Sequence, residues 1–200
     1  MDHIAARRAM IDSQLRPEAV TDGAVLAAMG SVAREDYVPE SARAFAYFDR
    51  PILFGEGRSM MPPAALGRLL SEVAPRAGER ALVVGAASDY SAALLVAIGL
   101  DVTSLDVTSL DVTSLDGPAE GEGQSAGFDL ILIDGAVEHI PQPLVDRLVE
   151  GGRLAAALRV AGVSRLVVGR ATAGRLGLRT IVNADVPPLR HDERPRAFTF

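Results

Sequence analysis

Four residues are spaced so that they could hold a nucleotide-type cofactor. Gly85 closes a short apolar run, Ala81-Leu82-Val83-Val84, and Ser88 and Tyr90 follow it closely. Asp106 lies 21 residues beyond Gly85. Parallel α/β sheets bind such cofactors at the carboxyl ends of their first strands, with a glycine-rich first loop and an acidic residue about 20 positions on. Only one of the expected glycines is present, so the spacing by itself fits a plain strand–turn–helix equally well. His139, beside Glu138, could titrate in a cleft, although such a histidine is ordinarily a surface loop residue. His191, Asp192 and Glu193 carry hard-metal chemistry, but three adjacent loop residues cannot all point inward. No metal site is expected.

Composition excludes other chemistry. The 200 residues include no cysteine, which removes thiolate nucleophiles, thiolate metal sites and disulfides. All 20 basic residues are arginine, so there is no Schiff-base lysine and no phosphate-binding P-loop lysine. Residues 1–80 hold 10 Arg and 11 acids, residues 81–146 no Arg and 11 acids, and residues 147–200 10 Arg and 4 acids. A middle third without positive charge is a poor cradle for polyphosphate, and no nucleic-acid partner is expected. The basic last third reads as solvated strand faces. The longest apolar stretch, Ala92–Leu100, falls well short of the ~18 residues of a membrane span, and the N-terminus lacks an export pattern. No membrane association is expected, and the location expected is cytoplasmic. With 48% hydrophobic and 23% charged residues, the chain can bury a core as one domain.

The elements that must position these residues follow from periodicity. Ile4, Met10, Ile11 and Leu15 give a loose helical face ended by Arg16-Pro17. Thr21 or Asp22 can cap a helix carrying Val25, Leu26 and Met29, and a short helix follows over Ala42–Phe48. Tyr37 and Tyr47 read as packing residues there. Pro51–Gly57 reads as a short strand or loop. Pro62-Pro63 opens a helix that buries Leu66, Leu69, Leu70 and Val73. Residues 81–84, 128–133 and 153–160 read as buried strands, with helices over Ser91–Leu100 and Pro141–Glu150 between them and Gly151-Gly152 turning into the third strand. Ser164–Thr172, Leu176–Ala184 and Arg196–Phe200 read as antiparallel strands, with a turn at Ala173-Gly174.

Residues 100–116 read LDVTSLDVTSLDVTSLD, a tandem five-residue unit. A period of five matches neither strand nor helix, and three units are too few for a stacked solenoid. The second strand can therefore take 100–106, 105–111 or 110–116. GPAEGEGQSAG, over 117–127, is turn-forming. Only 21 residues separate Asp106 from Phe128, whereas a helix, a strand and a helix with their connections need about 40.

With these segments in place, the sequence resembles the protein-L-isoaspartate O-methyltransferases, which use S-adenosylmethionine. MIDSQLRPEAVTDGAVLAAMGSVAREDYVPE (10–40) is similar to that family's N-terminal helical segment, and RPILFGEGRSMMPPAALGRLL (50–70) to its substrate-side loop and helix. AGERALVVGAASDYSAALL (77–95) is similar to its first cofactor loop. FDLILIDGAVEHIPQPLVDRLVEGGRLAAAL (128–158) resembles its fourth and fifth strands, and VPPL (186–189) with RAFTF (196–200) its terminal strands. The resemblance implies an α/β, Rossmann-like methyltransferase sheet, mostly parallel with antiparallel C-terminal strands and a helical N-terminal region. It further implies one domain over 1–200, comprising a substrate-side region (1–76), a shortened doubly wound part (77–160) and an antiparallel tail (161–200). One helix–strand pair is expected to be missing after the second strand.

The departures from the family shape the functional expectation. Val83 stands where the family has an acid, and Ala87 and Asp89 stand where it has glycines. Met61 occupies the position two before Pro63, where the family carries a serine. Ser59 is the nearest hydroxyl that could replace it, and Met60-Met61 read as packing under the loop, with an adaptable contact surface as the alternative. The resemblance places Gly85, Ser88 and Tyr90 along the cofactor, Asp106 on its ribose, Asp134 near the reacting methyl, and Ser59, Met60 and Met61 on the substrate side. The expectation is a degenerate cofactor site in a non-catalytic binding or oligomerising module, a pseudoenzyme with no cofactor. The alternative is an active S-adenosylmethionine-dependent carboxyl methyltransferase that repairs isoaspartyl residues. Either form is expected to engage protein or peptide partners, and an open strand edge at 100–116 would allow a homodimer.

Overall fold

The structure, a computed structural model, describes residues 2–55, 58–85, 88–106 and 127–189. Helix α1 (His3–Met10) starts where the Asp2 side chain accepts from the Ala5 amide. Its last turn widens over Ile11–Leu15, with the Arg16 amide reaching back to the Ile11 carbonyl, and Pro17 cannot continue the ladder. Met10 and Leu15 are buried as the periodicity predicts, but Ile4 is exposed. Asp22, one of the two predicted caps, accepts from the amides of Ala24 and Val25 and starts α2 (Gly23–Ser31). Two tight helical turns follow at Arg34–Tyr37 and Glu40–Phe45, the second in place of the helix expected to reach Phe48.

A two-stranded hairpin, β1 (Ile52–Gly55) and β2 (Arg58–Met60), leads into α3 (Pro63–Val73). Pro63 sits in the first turn, where its missing N–H costs nothing, and α3 ends at Ala74 in the left-handed region. Next come β3 (Arg80–Gly85), α4 (Asp89–Ile98), β4 (Asp101–Asp106), β5 (Phe128–Val137), the single-turn α5 (Gln142–Val145), β6 (Leu148–Val160), β7 (Val163–Thr172) and β8 (Arg175–Asn183). The last six strands form one sheet in the order β4-β3-β5-β6-β7-β8, parallel from β4 to β6 and antiparallel from there to β8. Both hairpin turns in the antiparallel part, Ala161-Gly162 and Ala173-Gly174, have positive φ at both residues. This is the mirror-image turn whose twist matches antiparallel strands.

Alternate residues of the central strands feed two cores. Ala81, Val83, Leu130 and Leu132 pack with the helices of the N-terminal region. Leu82, Val84, Ile131 and Ile133 pack on the opposite face with Leu144 and Leu189. Each such side chain contributes roughly 1.5–3 kcal/mol when fully buried. The N-terminal region is tied together by Arg7, which donates to the Tyr47 hydroxyl at 2.8 Å, to the carbonyls of Gly30 and Ser31, and to Glu35 at 3.1 Å. Tyr47 completes the set by donating to Glu35.

Two expectations are corrected here. The helix expected over Pro141–Glu150 is one turn, because Arg147 and Leu148 already pair with Phe128. Gly151-Gly152 still makes a turn, but within β6, where the pairing jumps from Phe128↔Leu148 to Leu130↔Arg153. The repeat's register is the first of the three, with β4 over Asp101–Asp106 pairing on β3. The shortened segment between β4 and β5, the rest of the repeat and Arg196–Phe200 lie outside the described residues. Among the described residues β4 has a single neighbour, and no helix is long and apolar enough to cross a membrane.

Candidate functional site

The carboxyl ends of β4, β3 and β5 align so that Asp106, Gly85 and Asp134 form one row across the sheet. A Cβ on Gly85 would lie 2.8 Å from the Asp134 carbonyl oxygen and 2.9 Å from its Cβ, so only glycine lets these strands close up. Ser88 is buried and its hydroxyl shares a 2.9 Å hydrogen bond with Ser104 of β4. Tyr90 is wholly buried in the first turn of α4. Its ring meets Tyr37 at 5.6 Å between centroids, and the Arg34 guanidinium lies 4.9 Å from its centre. Asp89, between them, is exposed, so its charge stays outside this cluster.

Asp134 is 2% exposed. The Ser91 hydroxyl donates to its Oδ2 at 2.6 Å, while Oδ1 has no partner among the described residues. Burial pushes this carboxyl up to about 6, against the opposing pull of the Ser91 hydrogen bond and the Arg34 charge. Arg34 is itself fully buried, with burial pulling its pKa down. It donates through Nε to the Ala46 carbonyl at 2.7 Å and through Nη2 to the Met61 carbonyl. The Arg34 and Tyr90 side chains also interact with each other, which opposes the effect of burial on both. Arg34 therefore joins the row of strand ends to the loop before α3.

On that loop, Ser59 pairs across the hairpin with Leu53 and is buried. Met60 and Met61 are each 1% exposed and belong to the core. They form no exposed contact surface, because the loop turns both side chains inward under α3. Met61 reaches the site only through its backbone. His139 is exposed, and among the described residues no group of three metal-ligating side chains gathers. His191–Glu193 lies outside the described residues.

Gly85, Ser88, Tyr90 and Asp134, with the backbone of Asp106, thus come together, while Ser59 lies on β2, a strand that packs against β5. Arg34 and Ser91 are the residues that sequence reasoning missed. Arg34 sits in a charged run, Arg34-Glu35-Asp36, that reads as solvent-facing, and Ser91 reads as a helix position. The resemblance over residues 10–40 was the one available pointer to Arg34.

The architecture is that of the α/β methyltransferases. It superposes with a TM-score of 0.71 on the crystal structure of a putative protein-L-isoaspartate O-methyltransferase from Plasmodium falciparum in complex with S-adenosyl-L-homocysteine, at 20% identity over 95% of this chain and 99% of that one. The family described as protein-L-isoaspartate(D-aspartate) O-methyltransferase (PCMT) matches over residues 5–103 and 95–173. Protein-L-isoaspartate O-methyltransferase 2 of Anaeromyxobacter sp. (strain Fw109-5) is 35% identical over 164 residues, covering 74% of this chain and 68% of the relative. The Methylorubrum populi protein-L-isoaspartate O-methyltransferase is 34% identical over 165 residues, with 75% and 78% covered. The chain belongs to the PCMT family.

Proposed function

We propose that the chain binds S-adenosylmethionine across the ends of β4, β3 and β5 and methylates carboxylates of isoaspartyl residues in proteins or peptides. The observation that carries this reading is the row Asp106–Gly85–Asp134, with a buried carboxylate oxygen left unpartnered where the resemblance places the cofactor. The residues present fit a charged ligand at that end, since Asp134 Oδ1 is a buried acceptor without a partner among the described residues. Gly85, Ser88 and Tyr90 would lie along the cofactor, and Asp106, the last residue of β4, would meet its ribose. S-adenosylmethionine supplies a methyl group on a positively charged sulfur.

Transfer forms an oxygen–carbon bond on the substrate carboxylate and breaks the carbon–sulfur bond, leaving a neutral thioether. A carboxylate is already ionised at neutral pH, so the protein has no proton to remove and its task is to position and desolvate. The expectation of a chain with no cofactor finds no support in its family. Titration calorimetry with S-adenosylmethionine and S-adenosylhomocysteine tests the reading, with micromolar affinity expected and no heat at millimolar ligand overturning it. Methanol release from an isoaspartyl peptide then tests the transfer step.

A non-catalytic binding module is the second reading, and Met61 favours it. The position that carries a serine in the family here holds a buried thioether, and its carbonyl is committed to Arg34. Cofactor binding without methanol release would select this reading.

A further inference from the structure

We propose that Arg153, Arg170 and Arg179 form a phosphate-binding site at the amino end of the sheet, away from the strand ends assigned to the cofactor. The last third of the sequence is rich in arginine, and the two-residue alternation of a strand sorts those side chains by face. Arg153 is two residues from Ala155, Arg170 two from Val168 and Arg179 two from Ile181, and these apolar neighbours all pack in the core on the helical face. The three arginines therefore emerge on that face from β6, β7 and β8. They line a cavity of about 220 Å³ together with Glu72 of α3 and Gly177. That is room for several groups the size of a water molecule, ~30 Å³ each. Arg153 is bound by Glu79, the residue before β3, which sets the cavity at the opposite end of the sheet from Gly85.

Charge at this cavity is unbalanced. Arg153 donates to both oxygens of Glu79, at 2.9 and 2.6 Å. Glu72 is shared by Arg68 at 2.8 Å and Arg179 at 2.6 Å. Arg170 is exposed and makes no hydrogen bond or ion pair to a described residue. Four guanidiniums thus meet two carboxylates. Glu150 does not make up the difference, since it accepts from the Ala173 amide at the β7–β8 turn. Arg153 and Arg170 are also direct cross-strand partners, an arrangement in which like charges destabilise a sheet. Arg153 Nε is buried with no acceptor among the described residues. Opposite Arg170 on β8 stands Gly177, where a Cβ would meet only the Arg170 carbonyl oxygen, at 3.9 Å. A phosphate dianion in this space supplies the missing charge. Its tetrahedral oxygens can accept from guanidiniums on three strands at once, whereas a planar carboxylate presents two.

The test is titration of the full chain with inorganic phosphate, followed by calorimetry and by thermal melts, against chloride at matched ionic strength. Phosphate is expected to bind with a saturating heat and to raise the melting temperature where chloride does not. Arg170→Gln removes an exposed side chain with no described partner and should weaken phosphate by about tenfold or more. Gly177→Glu, which sets a carboxylate opposite Arg170, should raise the melting temperature without ligand and abolish the phosphate response. O-phosphoserine binding as tightly as phosphate would support a phosphomonoester as the occupant, and phosphate binding alone would support the free ion. Equal responses to phosphate and chloride, or unchanged phosphate affinity in Arg170→Gln, overturn the site. Competition between phosphate and S-adenosylhomocysteine also overturns it, by moving the ion to the carboxyl ends of the strands.

Discussion

The molecule contains two clusters built from the same three residue types, an arginine, a tyrosine and a carboxylate. In Arg7–Tyr47–Glu35 the arginine donates to the phenol, the carboxylate and two carbonyls, and the phenol donates to the carboxylate. Burial alone would raise the Glu35 carboxyl, but Tyr47 and Arg7 hold it below its ordinary value. Burial and the Glu35 contact push the Tyr47 phenol up to about 12. In Arg34–Tyr90–Asp134 each residue is more deeply buried, yet Asp134 keeps one carboxylate oxygen without a partner among the described residues. Burial depth therefore does not decide how completely a cluster is paired; the two clusters differ in pairing although the more buried one is the less complete.

Variants can break this contrast. The largest effect is expected from Arg34→Met, which strips the donors from the Ala46 and Met61 carbonyls inside the core and should cost about 3–5 kcal/mol in urea unfolding. Next comes pH. A folded pKa near 6 for Asp134 lies above its ordinary 3.8, so the native state binds the extra proton in that window. Arg34 and Ser91 face the carboxyl and hold the shift down, with Tyr90 alongside. Stability should therefore rise as pH falls from 7 toward 4, by at most about 3 kcal/mol relative to Asp134→Asn. Tyr47→Phe, in the satisfied cluster, should cost about 1–2 kcal/mol and leave ligand affinity unchanged. Tyr90→Phe should cost less in the same urea melts, up to about 1 kcal/mol, because Arg34 keeps its bonds to the Ala46 and Met61 carbonyls.

The two clusters also mark how far the sequence could be read. Apolar runs at 81–84 and 128–133, the Pro62-Pro63 helix start and the Ala173-Gly174 turn are local signals, and the structure follows each of them. The helix over Pro141–Glu150 shrinks because pairing of Arg147 and Leu148 with Phe128 outweighs local periodicity. At the site, the row of Gly85 with Asp106 follows from strand order and spacing. The role of Arg34 does not, since nothing local distinguishes a core guanidinium from its solvent-facing neighbours. Its burial is decided by carbonyls 12 and 27 residues away. Met60 and Met61 were ambiguous for the same reason, because only the packing of α3 over the hairpin settles which way they face.

The twin tight turns of β6–β7–β8 bear on how the chain reaches this arrangement. Those ladders join neighbours in sequence through two-residue connections, whereas β3 must find β4 and β5 across a helix and a long intervening segment. Short closures form quickly and distant pairings slowly. The antiparallel meander is therefore expected to form first, with the parallel strands added from β5 outward to β4. Pulse-labelled hydrogen exchange should protect amides of 163–172 before those of 81–85, so that β3 joins the sheet after its antiparallel part has formed.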